Sequence, residues 1–173
     1  MNVLKRRLFA CSLALVAASV LVASTGLASE ASTEAANTMV VYKSPTCGCC
    51  VKWVDHVEAA GFTATTEHPA DLLALKDDKG IPARSRSCHT GVTPSGYVFE
   101  GHVPARFILQ FLADPPANAI GLAVPAMPVG SPGMEVGDRF MPYDVQLLMA
   151  DGTTTVFARV ETAADQYPST AGS

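Results

Sequence analysis

The sequence predicts an α/β domain, and three observations lead there. After residue 38, short β-rich apolar runs alternate with helical patterns of apolar residues. A dense thiol motif, Cys47-Gly48-Cys49-Cys50, lies where the first such strand gives way to the first such helix. Near the end of the chain, Asp151-Gly152 sits between two further β-rich runs, a hairpin signal.

The elements follow in order. Met1 to Ala28 reads as a secretory signal. Lys5, Arg6 and Arg7 give it a positive start, Leu8 to Leu21 an apolar stretch, and Gly26-Leu27-Ala28 small residues for cleavage. Ser12 and Ser19 interrupt the apolar stretch, which argues against a membrane anchor, and Cys11 leaves with the signal. Residues 29–38 form a small, polar, flexible lead-in. Residues 39–160 make up one domain around the thiol motif and residues 161–173 a flexible polar tail. The chain carries a formal charge of −4, which becomes −7 without the three basic residues of the signal. An acidic domain with no basic stripe excludes nucleic acid as a partner, and no membrane contact is expected after cleavage.

Met39 to Lys43 is the first strand. The helix after it runs to about Ala60, with Cys50, Trp53, Val54 and Val57 inward and Lys52, Asp55, His56 and Glu58 outward. Gly61 stops it. Phe62 to Glu67 is a Thr-rich second strand. Asp71 to Lys79 is a short helix with Leu72, Leu73 and Leu75 inward. Arg84 to Ser87 is a polar loop, and Cys88 to Thr93 a third strand. Pro94-Ser95-Gly96 turns the chain into Tyr97 to Glu100. Pro104 opens a helix whose inner face is Phe107, Ile108, Phe111 and Leu112. Gly121 to Met141 has no period and is rich in Pro, Gly and Met. A loop of that length in a compact domain points to function. Asp144–Met149 and Thr153–Val160 then form a hairpin, for which Asp151-Gly152 predicts a type I′ turn.

The order β-α-β-α-β-β-α, with a dithiol at the first strand–helix junction, predicts a thioredoxin-like core, extended by the Pro/Gly/Met loop and the C-terminal β-hairpin. In such a core the third strand runs antiparallel to the first. Cys88 then faces the Cys47–Cys50 loop, and Gly101-His102 ends at the same edge. Adjacent strand residues face opposite ways, so only one of Cys88 and His89 is expected to face the site. His56 and His68 are expected to be solvated.

Thiolates are soft ligands that favour Cu(I), Zn(II) and iron–sulfur sites. Cys47 and Cys50 have the spacing of thiol oxidoreductases. Cys49 departs from that pattern. At a helix start Cys49 and Cys50 point about a quarter-turn apart, a geometry suited to bridging neighbouring ions more than to one tetrahedral zinc. Met127 and Met134, in the irregular loop, are candidate thioether ligands, and thioethers select Cu(I) over Zn(II). The plain alternative for them is apolar packing of the loop on the core. Four cysteines outside the signal would otherwise make two structural disulfides.

The motifs Val41-Tyr42-Lys43-Ser44-Pro45-Thr46-Cys47-Gly48-Cys49-Cys50, Ser87-Cys88-His89-Thr90, Tyr97-Val98-Phe99-Glu100-Gly101-His102-Val103-Pro104, and Gly121 to Val124 through Gly133-Met134-Glu135 together resemble the CopG-like family of exported copper-resistance proteins. The resemblance spans about Met39 to Val160. It implies a thioredoxin-like fold in the periplasm and a copper site on Cys47, Cys49, Cys50 and Cys88, with His102, Met127 and Met134 as further candidates. The expected function is copper binding for copper resistance, with Cu(I), more than one ion, on the cysteines, and with redox chemistry or transfer to a copper exporter or another periplasmic copper protein as extensions. The alternative is a periplasmic thiol–disulfide oxidoreductase in which Cys47 attacks and Cys50 resolves. Against it, Cys49 and Cys88 crowd the pair, and Ser87-Cys88 stands where such enzymes carry a proline.

Overall fold

A computed structural model describes residues 37–168. The signal segment lies outside the described residues. Among them no helix is long and apolar enough to cross a membrane. The fold is mixed α/β. Its elements are β1 (Thr38–Lys43), α1 (Gly48–Ala59), β2 (Thr63–Glu67), α2 (Leu72–Asp78), β3 (His89–Val92), β4 (Val98–Glu100), α3 (Ala105–Ala113), β5 (Ala119–Ala123), β6 (Tyr143–Met149) and β7 (Thr154–Val160). Short 3-10 turns at Ala83–Ser85 and Ala163–Gln166 complete it.

The strands form one seven-stranded sheet in the order β2-β1-β3-β4-β5-β6-β7. Two of its pairings, β1 with β2 and β4 with β5, are parallel, and the rest are antiparallel. β1 alternates, with Met39, Val41 and Lys43 turned to the buried side. That side meets Trp53, Val54 and Val57 of α1 and Phe107, Ile108 and Phe111 of α3 in the main core. The spacing-derived inner face of α1 is the observed one. In α3, Ala105 joins Phe107, Ile108 and Phe111 as a buried residue, while Leu112 is only partly covered. A smaller cluster, Ile81, Val98, Ala123 and Leu148, is separate from the main core.

Several expectations are corrected. The irregular segment begins only after Ala123, because Ala119–Ala123 forms β5 beside β4. Gly121 hid this strand. It reads as a breaker, yet it has φ +152°, and a Cβ there would collide with the Val98 carbonyl and lie 2.9 Å from the Val98 nitrogen. Only a residue without a side chain allows the two backbones to approach so closely. The β6–β7 hairpin is present, but its turn is not type I′. Gly152 is left-handed while Asp151 is not, and Met149 exchanges backbone bonds with Gly152 and Thr153. That is a three-residue loop closing on a glycine.

In α2, Leu73 is exposed and the fully buried side chain is Lys76. The segment after β7 is docked at least to Tyr167. Thr162 and Asp165 make a capping box. Gln166 is buried and accepts from the Tyr143 hydroxyl at 2.7 Å. Arg106 donates to the carbonyls of Asp165 and Tyr167. His56 is half-buried, not solvated. Its Nε2 accepts the Ala105 N–H at 3.0 Å and so caps α3, where Pro104 supplies no side-chain acceptor. His68 is exposed, as expected.

The His56 cap makes stability pH-dependent. Burial holds the His56 pKa below its usual value, with the Glu135 charge opposing. A group with a lowered folded pKa contributes stability that is complete above the unfolded pKa, about 6.5, and is lost as pH falls through the folded value. Urea unfolding between pH 7.5 and 5 is expected to show falling stability. His56→Asn, whose amide oxygen can accept without titrating, is expected to show a shallower decline.

Candidate metal centre

The site is built at the end of β1. The chain leaves the sheet at Lys43, turns through a Cys47 N–H to Ser44 carbonyl bond of 3.1 Å, and enters α1 at Gly48. Cys49 and Cys50 therefore sit in the first turn of α1. Cys50 is fully buried, while Cys47 and Cys49 are half-buried. Cys47 and Cys50 are joined as a disulfide, and Cys49 and Cys88 are free thiols.

β3 runs antiparallel to β1, with His89 opposite Lys43. Cys88, just before β3, is thereby delivered to the end of β1. The sulfurs of Cys47, Cys49, Cys50 and Cys88 lie within 4.8 Å of one another. The Cys49 thiol is 3.5 Å from the Cys47 sulfur. Cys49 and Cys50, whose helical directions diverge, still bring their sulfurs within that span.

Cys88 is shared by a second group of donors. Its sulfur is 3.1 Å from His102 Nε2 and 3.2 Å from His89 Nδ1, and these three ligand atoms also lie within 4.8 Å of one another. His102 was expected at this edge and is there. His89 was the residue missed. Strand alternation would have turned it away from a Cys88 on the same strand, but Cys88 lies in a bend outside β3, so both side chains reach the site. Its position next to Cys88 was the available signal.

The two imidazoles differ in their support. His102 Nδ1 bonds the Pro132 carbonyl at 2.8 Å. That oxygen only accepts, so Nδ1 carries the proton and Nε2 turns its lone pair toward Cys88. Outer-shell support of this kind orients metal-binding histidines. His89 is fully buried between Trp53, at 4.3 Å between ring centroids, and His102, at 5.0 Å. Its Nε2 has no hydrogen-bond partner. A buried polar atom without a partner is costly; the nitrogen that faces the Cys88 thiol is the other one, Nδ1, at 3.2 Å, and it is the ring atom placed to join that sulfur on a soft metal.

Electrostatics keep these groups neutral. Burial pushes the Cys88 thiol up to about 12, and the neighbouring Cys49 adds to the rise. Burial lowers His102, with the Pro132 carbonyl opposing. Burial also lowers His89 well below the ordinary value, with His102, Lys76 and Lys43 adding to it. Neutral imidazoles are ready ligands. The Cys88 thiol holds its proton, and any metal bound there would have to displace it.

The Pro/Gly/Met loop closes over this edge. Ser87 Oγ donates to the Ala126 carbonyl. Gly133 is left-handed, and a Cβ there would lie 2.6 Å from the Cys49 carbonyl and 2.9 Å from the Trp53 nitrogen. The loop backbone thus rests directly on the first turns of α1. Met134 follows Gly133 and is half-buried, while Met127 is 48% exposed.

Two solved structures, the copper resistance protein CopG in forms 1 and 2, match this chain at 46% identity and a TM-score of 0.67. The match covers 71% of this chain and 96% and 97% of those chains.

The chain belongs to the CopG-like family.

A family model described as a protein of unknown function, DUF411, matches residues 85–134. No curated protein matches the chain. In this CopG-like chain the DUF411 segment spans Cys88, His89, His102 and the loop to Met134. The Cys47-Gly48-Cys49-Cys50 motif lies before it, and the fold brings the two together.

Proposed function

We propose that this chain is an exported copper-binding protein of copper resistance, holding Cu(I) on Cys47, Cys49, Cys50 and Cys88 once the Cys47–Cys50 disulfide is reduced. The observation that carries this reading is the convergence of four sulfurs within 4.8 Å, in a family whose solved members are copper resistance proteins. Thiolates prefer Cu(I) to hard cations. Sulfurs this close can bridge neighbouring ions, so the reading extends to more than one Cu(I) per chain. His102 and His89 are the proposed nitrogen ligands on the far side of Cys88. Met134, whose backbone adjoins the segment resting on Cys49, and Met127 are the proposed thioethers.

The element order from β1 to α3 supports a thioredoxin-like core, to which β5, β6 and β7 are added. Residues 1–28 are the proposed export signal to the periplasm, where the copper would pass to an exporter or another copper protein. The disulfide also suits a thiol–disulfide oxidoreductase. Copper is preferred because Cys49 lies 3.5 Å from Cys47, and Cys88 sits between the other thiols and two imidazoles.

The test is a Cu(I) titration of the reduced chain without oxygen, against a competing chelator, with bound copper counted by elemental analysis. The expected result is more than one tightly held Cu(I) per chain, and clearly weaker loading while the disulfide is intact. Absence of tight Cu(I) binding by the reduced chain, together with turnover in insulin reduction, would overturn the reading in favour of disulfide chemistry.

A further inference from the structure

A buried ionic group lies behind the site and has no part in the ligand sets above. Lys76 of α2 is 1% exposed, and Glu100 of β4 and Thr90 of β3 are fully buried. Lys76 Nζ lies 2.5 Å from Glu100 Oε1 and donates to Thr90 Oγ1 at 3.0 Å. The Thr90 hydroxyl donates to Glu100 Oε2 at 2.6 Å. The remaining bond leaves the ion pair. The Ser87 N–H donates to Glu100 Oε1 at 2.6 Å, and Ser87 is the residue before Cys88.

A buried ion pair is a poor source of stability. The cost of removing two charges from water offsets their attraction, and well-packed apolar residues often do as well. What this pair does supply is a fixed carboxylate. Lys76 and Thr90 hold both of its oxygens, and the backbone before Cys88 hangs on one of them. Cys88 lies in a bend, outside the strand ladder that fixes His89. Ser87 is also tied through its hydroxyl, which donates to the Ala126 carbonyl on the loop and lies 4.0 Å from the Cys88 sulfur.

We propose that Glu100, locked by Lys76 and Thr90, is the positioning residue for Cys88: through the Ser87 amide it sets the Cys88 thiol against Cys49 and His102. As a statement about copper this rests on the function proposed above. As a statement about thiol placement it does not need copper. Loss of the support of a ligand typically costs about 10- to 100-fold in metal affinity, and the same looseness lowers the tendency of Cys88 to pair with Cys49.

The experiment compares two uncharged versions of the pair in the full chain, K76M/E100Q and K76M/E100L. Both remove the ion pair, and only the first leaves an oxygen facing the Ser87 amide. The metal-free readout uses a Cys11→Ser/Cys47→Ser/Cys50→Ser background, in which Cys49 and Cys88 remain. Their two thiols exchange with oxidised glutathione, forming one protein disulfide and releasing two reduced glutathiones. The equilibrium constant measures how well the thiols are placed. It is expected to fall about tenfold or more for K76M/E100L and to stay within about threefold of the parent for K76M/E100Q. With Cys47, Cys49, Cys50 and Cys88 all present, Cu(I) affinity should follow the same order. Equal constants for the two variants, each folded by the near-ultraviolet signal of Trp53, would overturn the proposal. If either double variant fails to fold, Glu100→Asp decides. It keeps the charge but draws the carboxylate back by one methylene, and is expected to lower the constant about tenfold; an unchanged constant overturns the proposal. If the thiol equilibrium orders the variants as expected while the parent binds no copper, the positioning role stands and the copper function falls.

Discussion

Cys88→Ser is expected to leave the chain folded and to lower its affinity for Cu(I) by more than the roughly 100-fold seen when only the support of a ligand is lost. Cys88 is the donor common to both groups, within reach of three cysteine sulfurs on one side and of His89 and His102 on the other. Its loss divides the site into a local cysteine motif and a pair of imidazoles. A serine oxygen is a hard donor and cannot replace a thiolate for Cu(I). Copper per chain after competition with a chelator is the measurement. His68→Ala is the fitting comparison, since His68 is exposed and its one recorded bond is to the Lys43 carbonyl. His56 would mislead in that role, because its removal uncaps α3 and costs about 1 kcal/mol of stability. Equal copper loading by Cys88→Ser and His68→Ala would remove the case for a shared site.

The second large effect belongs to the sheet. Gly121→Ala is expected to destabilise the fold by on the order of 4 kcal/mol or more, in the range reserved for a few severe mechanisms. The added methyl meets the backbone of Val98, which cannot rotate away as a side chain could, and φ +152° is already foreign to alanine. Relief requires β4 and β5 to part. Gly48→Ala is the matched comparison, since nothing lies within 4 Å of a Cβ there, and its urea midpoint is expected to change little. A Gly121→Ala chain with the parent midpoint would show that the sheet tolerates this separation.

What could be read from the sequence follows the range of the forces involved. The faces of α1 and α3 were legible because burial there is set by spacing along one helix. The meeting of Cys88 and His102 with the Cys47–Cys50 segment was legible once β3 was taken as antiparallel to β1. The misses each depend on a partner far along the chain. Lys76 looks like a surface lysine until Glu100 and Thr90 are placed beneath it, and Leu73 looks buried until Lys76 has taken the inner position. His56 looks solvated until Ala105 arrives without a capping side chain. β5 looks like loop because Gly121 is unfavourable in an isolated strand and required against Val98. His89 was set aside by a rule for strands, and the chain enters the strand one residue later than that rule assumed.

The antiparallel pairing of β1 with β3 has a consequence for the order of events as the chain folds. Before the sheet forms, Cys47, Cys49 and Cys50 are already neighbours, whereas Cys88 and His102 are far away along the polymer. Closing that distance costs chain entropy, and contacts of such range form slowly. A nascent chain therefore presents a three-thiol grip that any soft ion or stray oxidant can reach. The complete site exists only after the strands have zipped and the loop has settled on α1. Completion of the site is thus a readout of completed folding.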